Sequence, residues 1–445
     1  MTEETRAILP RHRTALRIAA LLLVIMGTAG RATAQTVYQL DGALDVGYTA
    51  QTVSTVPFVD PAASETTTDG RFYTEIRPRI AFFTGAPSLL LRAGYLFAAN
   101  ISLDGKAPHT YSNQGDVSLA AQLSTRASMT LAAVVTQGGT AFQLSQRAAD
   151  ASEPTIRAPG NPAQVSASLT EFLLYELGPH FQLGQGISGT LTAPQDDLGL
   201  FNSTVTGSLF VDRVFPNDAI GFELRSAVSR LQPLLSEGDA YFNITNSLLA
   251  RWTHDFDYRW NANLTAGVQQ VATLAGSYPV AILPTGSLTA RYAARDAAGS
   301  VSFTHGTDTN LQTGTVSTTE QVSAHASVSF DPIRPRILGA SVGFLHNEPL
   351  GEASALIAAG AGNAFQADVG FTWGLTDQVL ATARYSLAYQ FGQEAGIPPS
   401  LAHVILIGIT ARYSNARFMP PVPRLGQRVD GGDAIGFPET NVEKP

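Results

Sequence analysis

Cysteine is absent from this sequence, which excludes disulfide bridges, thiolate-ligated metals and a lipid anchor of the lipoprotein type. Charge is scarce as well. Asp, Glu, Lys and Arg together make 14% of the chain, against about a quarter in soluble domains. No apolar run approaches the roughly 20 residues of a spanning helix, and the mean hydropathy of +0.06 excludes a bundle of membrane helices. Lysine occurs only at Lys106 and Lys444. Every other basic side chain is arginine, which we read as a base-composition bias. Acids outnumber bases, 36 to 28, so nucleic acid is not the expected partner. The H-E-x-x-H, P-loop and G-x-S-x-G signatures are missing too. Neither an enzyme, a metal site nor a cofactor is expected.

The N-terminus reads as an export signal. Arg6, Arg11, Arg13 and Arg17 precede the apolar run Ile18 to Met26, followed by Gly27, Gly30 and Ala32-Thr33-Ala34. A basic segment, a short apolar core and an A-x-A site predict cleavage after Ala34. The run is too short to be a retained anchor. Removing 1–34 takes five Arg and two Glu and leaves 23 basic against 34 acidic side chains.

Beyond it the dominant signal is alternation. In Val322 to Phe330, "VSAHASVSF", Val322, Ala324, Ala326, Val328 and Phe330 share one parity, while Ser323, His325, Ser327 and Ser329 share the other. A strand pleats with period two, so such a segment is apolar on one face and polar on the other. Eight short turns punctuate these segments, at 83–88, 124–128, 176–180, 215–219, 254–259, 295–300, 330–336 and 374–378. All carry residues suited to tight backbone angles or polar termini. Longer polar connections fall between them, at 51–70, 102–113, 138–162, 194–200, 232–240, 272–282, 306–319, 347–363 and 392–400. Eight turns and nine loops join eighteen strands. Sixteen remain open, because 165–177 and 301–305 alternate weakly. Thr36 to Tyr413 is 378 residues, or 21 per strand with its connection, which leaves about 10 for a tilted crossing. The expected fold is all-β: a transmembrane antiparallel up-and-down barrel, 35–413, with no plug domain.

Parity assigns the faces. Toward lipid fall Ile76, Ile80 and Phe82; Leu91, Ala93, Tyr95 and Phe97; Val117, Leu119 and Leu123. Later strands add Phe222, Leu224 and Val228; Ile244, Leu248 and Trp252; Val379, Tyr385, Leu387 and Tyr389. Toward the lumen fall the expected pore-lining charges: Glu75, Arg77, Arg79, Arg92, Asp116, Glu223, Arg225, Arg251, Arg291, Asp368 and Arg384. Gln122, Asn261 and Asn263 join them, with Asp41 and Asp45 further acids. Mixed signs predict either a weakly selective aqueous passage or pairs that brace the wall, and neither excludes the other. Tyr73 and Tyr241 are inward aromatics that suit hydroxyl-rich ligands. His325 between Ser323 and Ser327 is read as polar lining. Aromatic girdles are expected at Phe256, Tyr258 and Trp260 on one rim and at Tyr385, Tyr389 and Phe391 on the other. The loop 138–162 has the length to fold inward, and "ASALIAAGAG" (Ala353 to Gly362) is apolar enough for a short helix in the mouth.

The last strand, "HVILIGITARY" (His403 to Tyr413), ends on an aromatic, as barrels do where the assembly machinery reads them. A Pro- and Gly-rich tail, 414–445, follows and cannot form another crossing strand. It reads as a disordered periplasmic end, a docking strip or a plug.

The hairpins "ELGPHFQLGQGISGTL" (Glu176 to Leu191) and "GLTDQVLATARYSLAY" (Gly374 to Tyr389) resemble those of Gram-negative outer-membrane barrels. Within that group, the layout is similar to eighteen-stranded barrels proposed as exit ports in Wzx/Wzy-type polysaccharide secretion. The resemblance implies an integral outer-membrane protein with lipid and the barrel-assembly machinery as partners, and a periplasmic polysaccharide export protein meeting the 414–445 tail. It implies no site residue. The strand "VYQLDGALDVGY" follows the signal directly, so neither the plug of siderophore receptors nor the hatch of fatty-acid channels is expected. The expected function is a pore that exports a polysaccharide across the outer membrane; the alternatives are diffusion of small hydrophilic solutes and a structural or adhesive barrel with a closed lumen.

Overall fold

The computed structural model describes residues 35–55, 65–86, 88–105, 109–138, 164–195, 198–232, 240–273, 280–310, 315–331, 336–350, 362–391 and 400–414. Among them there are eighteen strands and no helix. The first six are β1 (Gln35–Thr55), β2 (Glu65–Ala86), β3 (Leu89–Ser102), β4 (Thr110–Ser124), β5 (Ala127–Gly138) and β6 (Gln164–Gly178). Then come β7 (Phe181–Pro194), β8 (Asn202–Val214), β9 (Asp218–Leu231), β10 (Tyr241–Asp255), β11 (Trp260–Thr273) and β12 (Ala281–Ala293). The chain ends with β13 (Ala297–Asn310), β14 (Thr315–Ser329), β15 (Arg336–Pro349), β16 (Gly362–Gly374), β17 (Val379–Phe391) and β18 (Ser400–Ser414).

Each strand pairs antiparallel with its neighbours in sequence, and β18 returns to β1 from Gln39↔Ser414 to Val53↔Ser400. The sheet is closed and has no free edge. The eight expected turns join β2–β3, β4–β5, β6–β7, β8–β9, β10–β11, β12–β13, β14–β15 and β16–β17. The two segments of weak alternation are full strands, β6 and β13. Sixteen strands are therefore excluded.

The connection expected over 51–70 is shorter than its polarity implied, since β1 runs to Thr55 and β2 begins at Glu65. The segments 306–319 and 347–363 likewise lose their outer residues to β13, β14, β15 and β16. The signal 1–34, the tail 415–445, the core of the 138–162 loop and the apolar 353–361 stretch lie outside the described residues.

Alternation along the strands separates two faces. On the outer face Leu44, Val46, Phe72, Ile76, Phe222, Leu224, Leu248, Val268, Ile405 and Ile407 are exposed. On the opposite parity Asp45, Glu75, Asn202, Asp212, Glu223, Asn243, Arg251 and Asp368 are buried. The concave side of a barrel crowds its side chains, so these polar groups face the interior. Glu171 and Gln185 are outward by parity in β6 and β7 and break the apolar pattern.

At the short-turn rim the outer face carries an aromatic run. The Trp252 ring stacks on His254 at 5.6 Å, His254 meets Phe256 edge-on at 4.4 Å, and Trp260 packs on Tyr292 at 4.8 Å. At the other rim Tyr389 stacks on Phe391 at 5.1 Å. Tyr385, expected in that girdle, instead sits at the middle of β17 and bonds His403 at 2.7 Å.

Candidate functional site

The eleven expected charges all lie on the inward parity of their strands. Register and glycines decide which of them meet. On β1 and β2 the first cluster is Asp45, Glu75 and Arg77. Both acids are essentially buried (2% and 0% exposed). Arg77 donates through Nη2 to Asp45 Oδ2, while its Nε lies 3.4 Å from Glu75 Oε1. Asp45 has room because its partner on β18 is Gly408, where a Cβ would overlap the carboxylate. We expect Gly408→Ala to cost about 1–3 kcal/mol by overpacking, read as a lowered unfolding midpoint. An unchanged midpoint would mean that Asp45 moves aside freely.

Tyr73 precedes this cluster on β2. Its ring lies across Gly47 of β1 and packs with Val404 and Leu406 of β18. It is buried, so the expected inward aromatic forms part of the wall and offers no stacking face. Toward the short-turn rim, Arg412 donates to Asp41 at 3.1 Å, and Gln39 donates to the same carboxylate.

The second cluster holds two cations to one acid. Arg79 Nη2 and Arg92 Nε lie 3.9 and 3.8 Å from the two oxygens of Asp116. Arg79 and Asp116 are on strands two apart, with Gly94 of β3 directly opposite Asp116. A side chain at Gly94 would fill the space the carboxylate occupies.

The third cluster is the most complete. Arg251 on β10 donates through Nη1 to Glu223 Oε2 at 2.8 Å, and its Nε is 3.4 Å from Asp212 Oδ1. Its guanidinium lies over the Phe210 ring at 3.9 Å, within cation–π range. Arg225 forks onto the other Glu223 oxygen at 3.0 and 2.8 Å. Gly221 of β9 stands between Asp212 and Arg251 in register, which lets the pair meet across an intervening strand. Asp212 and Phe210 are not among the expected lumen residues, although their parity in "LFVDR" places both inward.

A fourth group joins β16 and β17. Asp368 accepts from Arg384 at 3.1 Å, from Gln366 at 3.0 Å and from Ser386. Among the described residues Arg291 is brought to no acid. It is exposed on the inner face of β12, opposite Asn261.

Between the charged sectors the inner wall is hydroxyl-rich. Thr265 and Ser287 are 2.8 Å apart, Ser302 and Ser323 2.5 Å, and Thr136 and Ser166 2.5 Å. His325 lies exposed near this sector, and among the described residues no group of three or more His, Asp or Glu is placed to hold a metal ion. Phe172 stacks on Phe210 at 5.9 Å beside Gly184, so these inward rings also serve the wall.

No family model and no curated protein matches this chain. Among solved structures it is similar to OccK1 (OpdK) of Pseudomonas aeruginosa, at 9% identity over 84% of this chain and 99% of that one, TM-score 0.39. It is also similar to OpdO of Pseudomonas aeruginosa, at 7% identity over 85% and 98%, TM-score 0.41. A third is the FrpB iron transporter from Neisseria meningitidis, at 9% identity over 86% and 82%, TM-score 0.43.

Proposed function

We propose that the chain is an integral outer-membrane barrel whose lumen is an aqueous pore for small hydrophilic solutes. One observation carries the reading: eighteen strands close a ring whose outer face is apolar and whose inner face is charged and hydroxylated. A ring of 16–18 strands is too wide for wall side chains to fill and leaves a water channel. The apolar outer band with aromatic rims suits a hydrocarbon slab and its two interfaces. Lipid and the barrel-assembly machinery, addressed through Tyr413 at the end of β18, are the partners this reading implies. No chemistry beyond transport is part of it.

The inner charges act as braces and leave little net field. Acids and arginines are matched within the third and fourth clusters, and the first and second have opposite excesses. We expect purified protein in planar bilayers to conduct KCl with weak ion selectivity. A lumen that stays closed supports a structural or adhesive barrel instead. A strongly selective current would mean that the pairs are broken in the working pore.

Polysaccharide export is the narrower alternative, and a periplasmic export protein docking on 414–445 belongs with it. Tyr73 and Phe210 are buried in the wall and offer a sugar no stacking face, while Tyr241 is half-buried on the inward parity of β10. This favours small solutes. Deleting the gene and comparing surface-attached with cell-retained polymer separates the two. Polymer trapped inside, restored by the intact gene, overturns the small-solute reading, and unchanged polymer with slowed solute uptake supports it.

A further inference from the structure

Seventeen of the eighteen seams carry twelve or more residue pairs each. The seam between β12 and β13 has eight, from Gly286↔His305 to Ala293↔Ala298. Beyond that point, toward the long-loop rim, 281–285 pair only with β11 and 306–310 only with β14.

The sequence supplies a cause. Pro284 has no N–H to give the ladder, and Gly306 has no side chain to pack. Pro78 in β2 also interrupts its ladder with β3, but there pairing resumes, Ile76↔Ala99 being followed by Arg79↔Leu96. At β12 it does not resume. Two side chains bridge the break instead. The Thr307 N–H donates to Gln269 Oε1 at 3.0 Å, and Thr285 Oγ1 donates to the His305 carbonyl at 3.1 Å. Gln269 reaches that position from β11, past β12, along the inner face.

Outside, the break adjoins a shallow, largely open groove of about 850 Å³ that runs across β7 to β12. Its walls include Leu209, Leu224, Leu248, Val268 and Ile282, and its floor holds Ser226 bonded to Asn246 at 2.8 Å. Ile282 belongs both to the groove and to the unpaired stretch of β12, and it is 73% exposed. On the β13 side the outer face carries His305 paired with Glu320 at 3.3 Å. In hydrocarbon each unpaired backbone group costs several kcal/mol. A five-residue break held by two side chains is thus the weakest seam of this wall, and it stands beside an apolar trough with polar groups at hand.

We propose that the β12–β13 seam is a side passage by which an amphiphile with one linear apolar chain moves between lumen and membrane. The chain lies in the groove and the head group meets Asn246, Gln270 or the His305–Glu320 pair. The proposal rests on the reading of the barrel as a membrane pore. Opening exchanges the bonds made by Gln269 and Thr285 for contacts to water or to the passing head group, so the ladder below Gly286 stays intact.

The test uses the absence of native cysteine. A Cβ on Gly306 would lie 3.6 Å from the Thr285 Cβ, inside the range that a disulfide bridges. Full-length protein carrying Thr285→Cys and Gly306→Cys is folded reduced, placed in liposomes and then oxidised. The probe is lysophosphatidylcholine with a fluorescent chain, and the readout is its back-extraction by albumin, which is too large for the pore. KCl conductance is recorded on the same samples. We expect wild type and the reduced pair to move the probe, oxidation to slow it at least fivefold with conductance unchanged, and Gln269→Ala to speed it severalfold. A second pair in a fully zipped seam, Ser302→Cys with Ser323→Cys, should respond to oxidation in neither assay. A conducting barrel that moves no probe overturns the side passage alone, as does an oxidised pair that moves it as fast as the reduced one. A barrel that conducts no salt overturns the pore, and the side passage with it.

Discussion

Replacing Arg251 by alanine should lower the barrel's unfolding free energy by about 3–5 kcal/mol, the cost of leaving buried charges without their partner. Arg251 is 9% exposed and serves Glu223, Asp212 and the Phe210 ring at once. Glu223 keeps Arg225 in the variant. Asp212 keeps Gln182, whose amide is 3.5 Å away. Asp212 loses the guanidinium beside it, and Arg251→Met with Asp212→Asn should recover most of the loss. Urea unfolding followed by tryptophan fluorescence measures both. Arg291→Ala is the control: an exposed side chain brought to no acid should change stability by no more than about 0.5 kcal/mol. If Arg251→Ala costs no more than this control, the third cluster is not a brace, and its charges are available to solutes in the lumen.

Strand parity made the inner and outer faces legible, because period two is a local property of the chain. The eleven inward charges follow from it, and so do the outward Phe222, Leu224 and Leu248. What parity cannot supply is register. Arg251 meets Asp212 across Gly221, and Arg79 meets Asp116 past Gly94, over strands that lie between them in the wall. Those meetings depend on which residue stands opposite which, and on a missing Cβ at one position. The same limit hid the unpaired half of β12 and β13. Pro284 is visible in the sequence, but so is Pro78, and only the ladder distinguishes a skipped pair from a parted seam. Tyr385 shows a different failure. An aromatic near a polar loop reads as a girdle residue, whereas strand length places it at mid-height. Glu171 shows a third, being a carboxylate whose parity sets it among outward leucines in "EFLLYELG". Parity there contradicts the chemistry of the face, and nothing local in the sequence explains it.

Leu224→Arg and Thr206→Arg form the sharpest pair for testing which face meets lipid. Leu224 is at the middle of β9, 58% exposed, with Leu209 and Leu248 directly opposite on the neighbouring strands. An arginine there sits in hydrocarbon near the midplane and should cost about 2–4 kcal/mol. Thr206 occupies a comparable height on β8 with the opposite parity, opposite Ser188 and Ala227. Small neighbours and lumen water should hold an arginine at that position for less than about 1 kcal/mol. The electrical readouts separate the two further. A new cation on the inner wall should shift the reversal potential in a KCl gradient toward anion selectivity. The same charge outside is insulated from the current path and should leave the potential where it was, while lowering the folded yield in bilayers. Equal stabilities with equal potentials would mean that neither face meets hydrocarbon, and the barrel would then be a water-surrounded one. The opposite pattern, with Thr206→Arg costly and Leu224→Arg harmless, would turn the wall inside out. It would require a packed apolar interior that the buried Glu75, Asn243 and Asp212 already argue against.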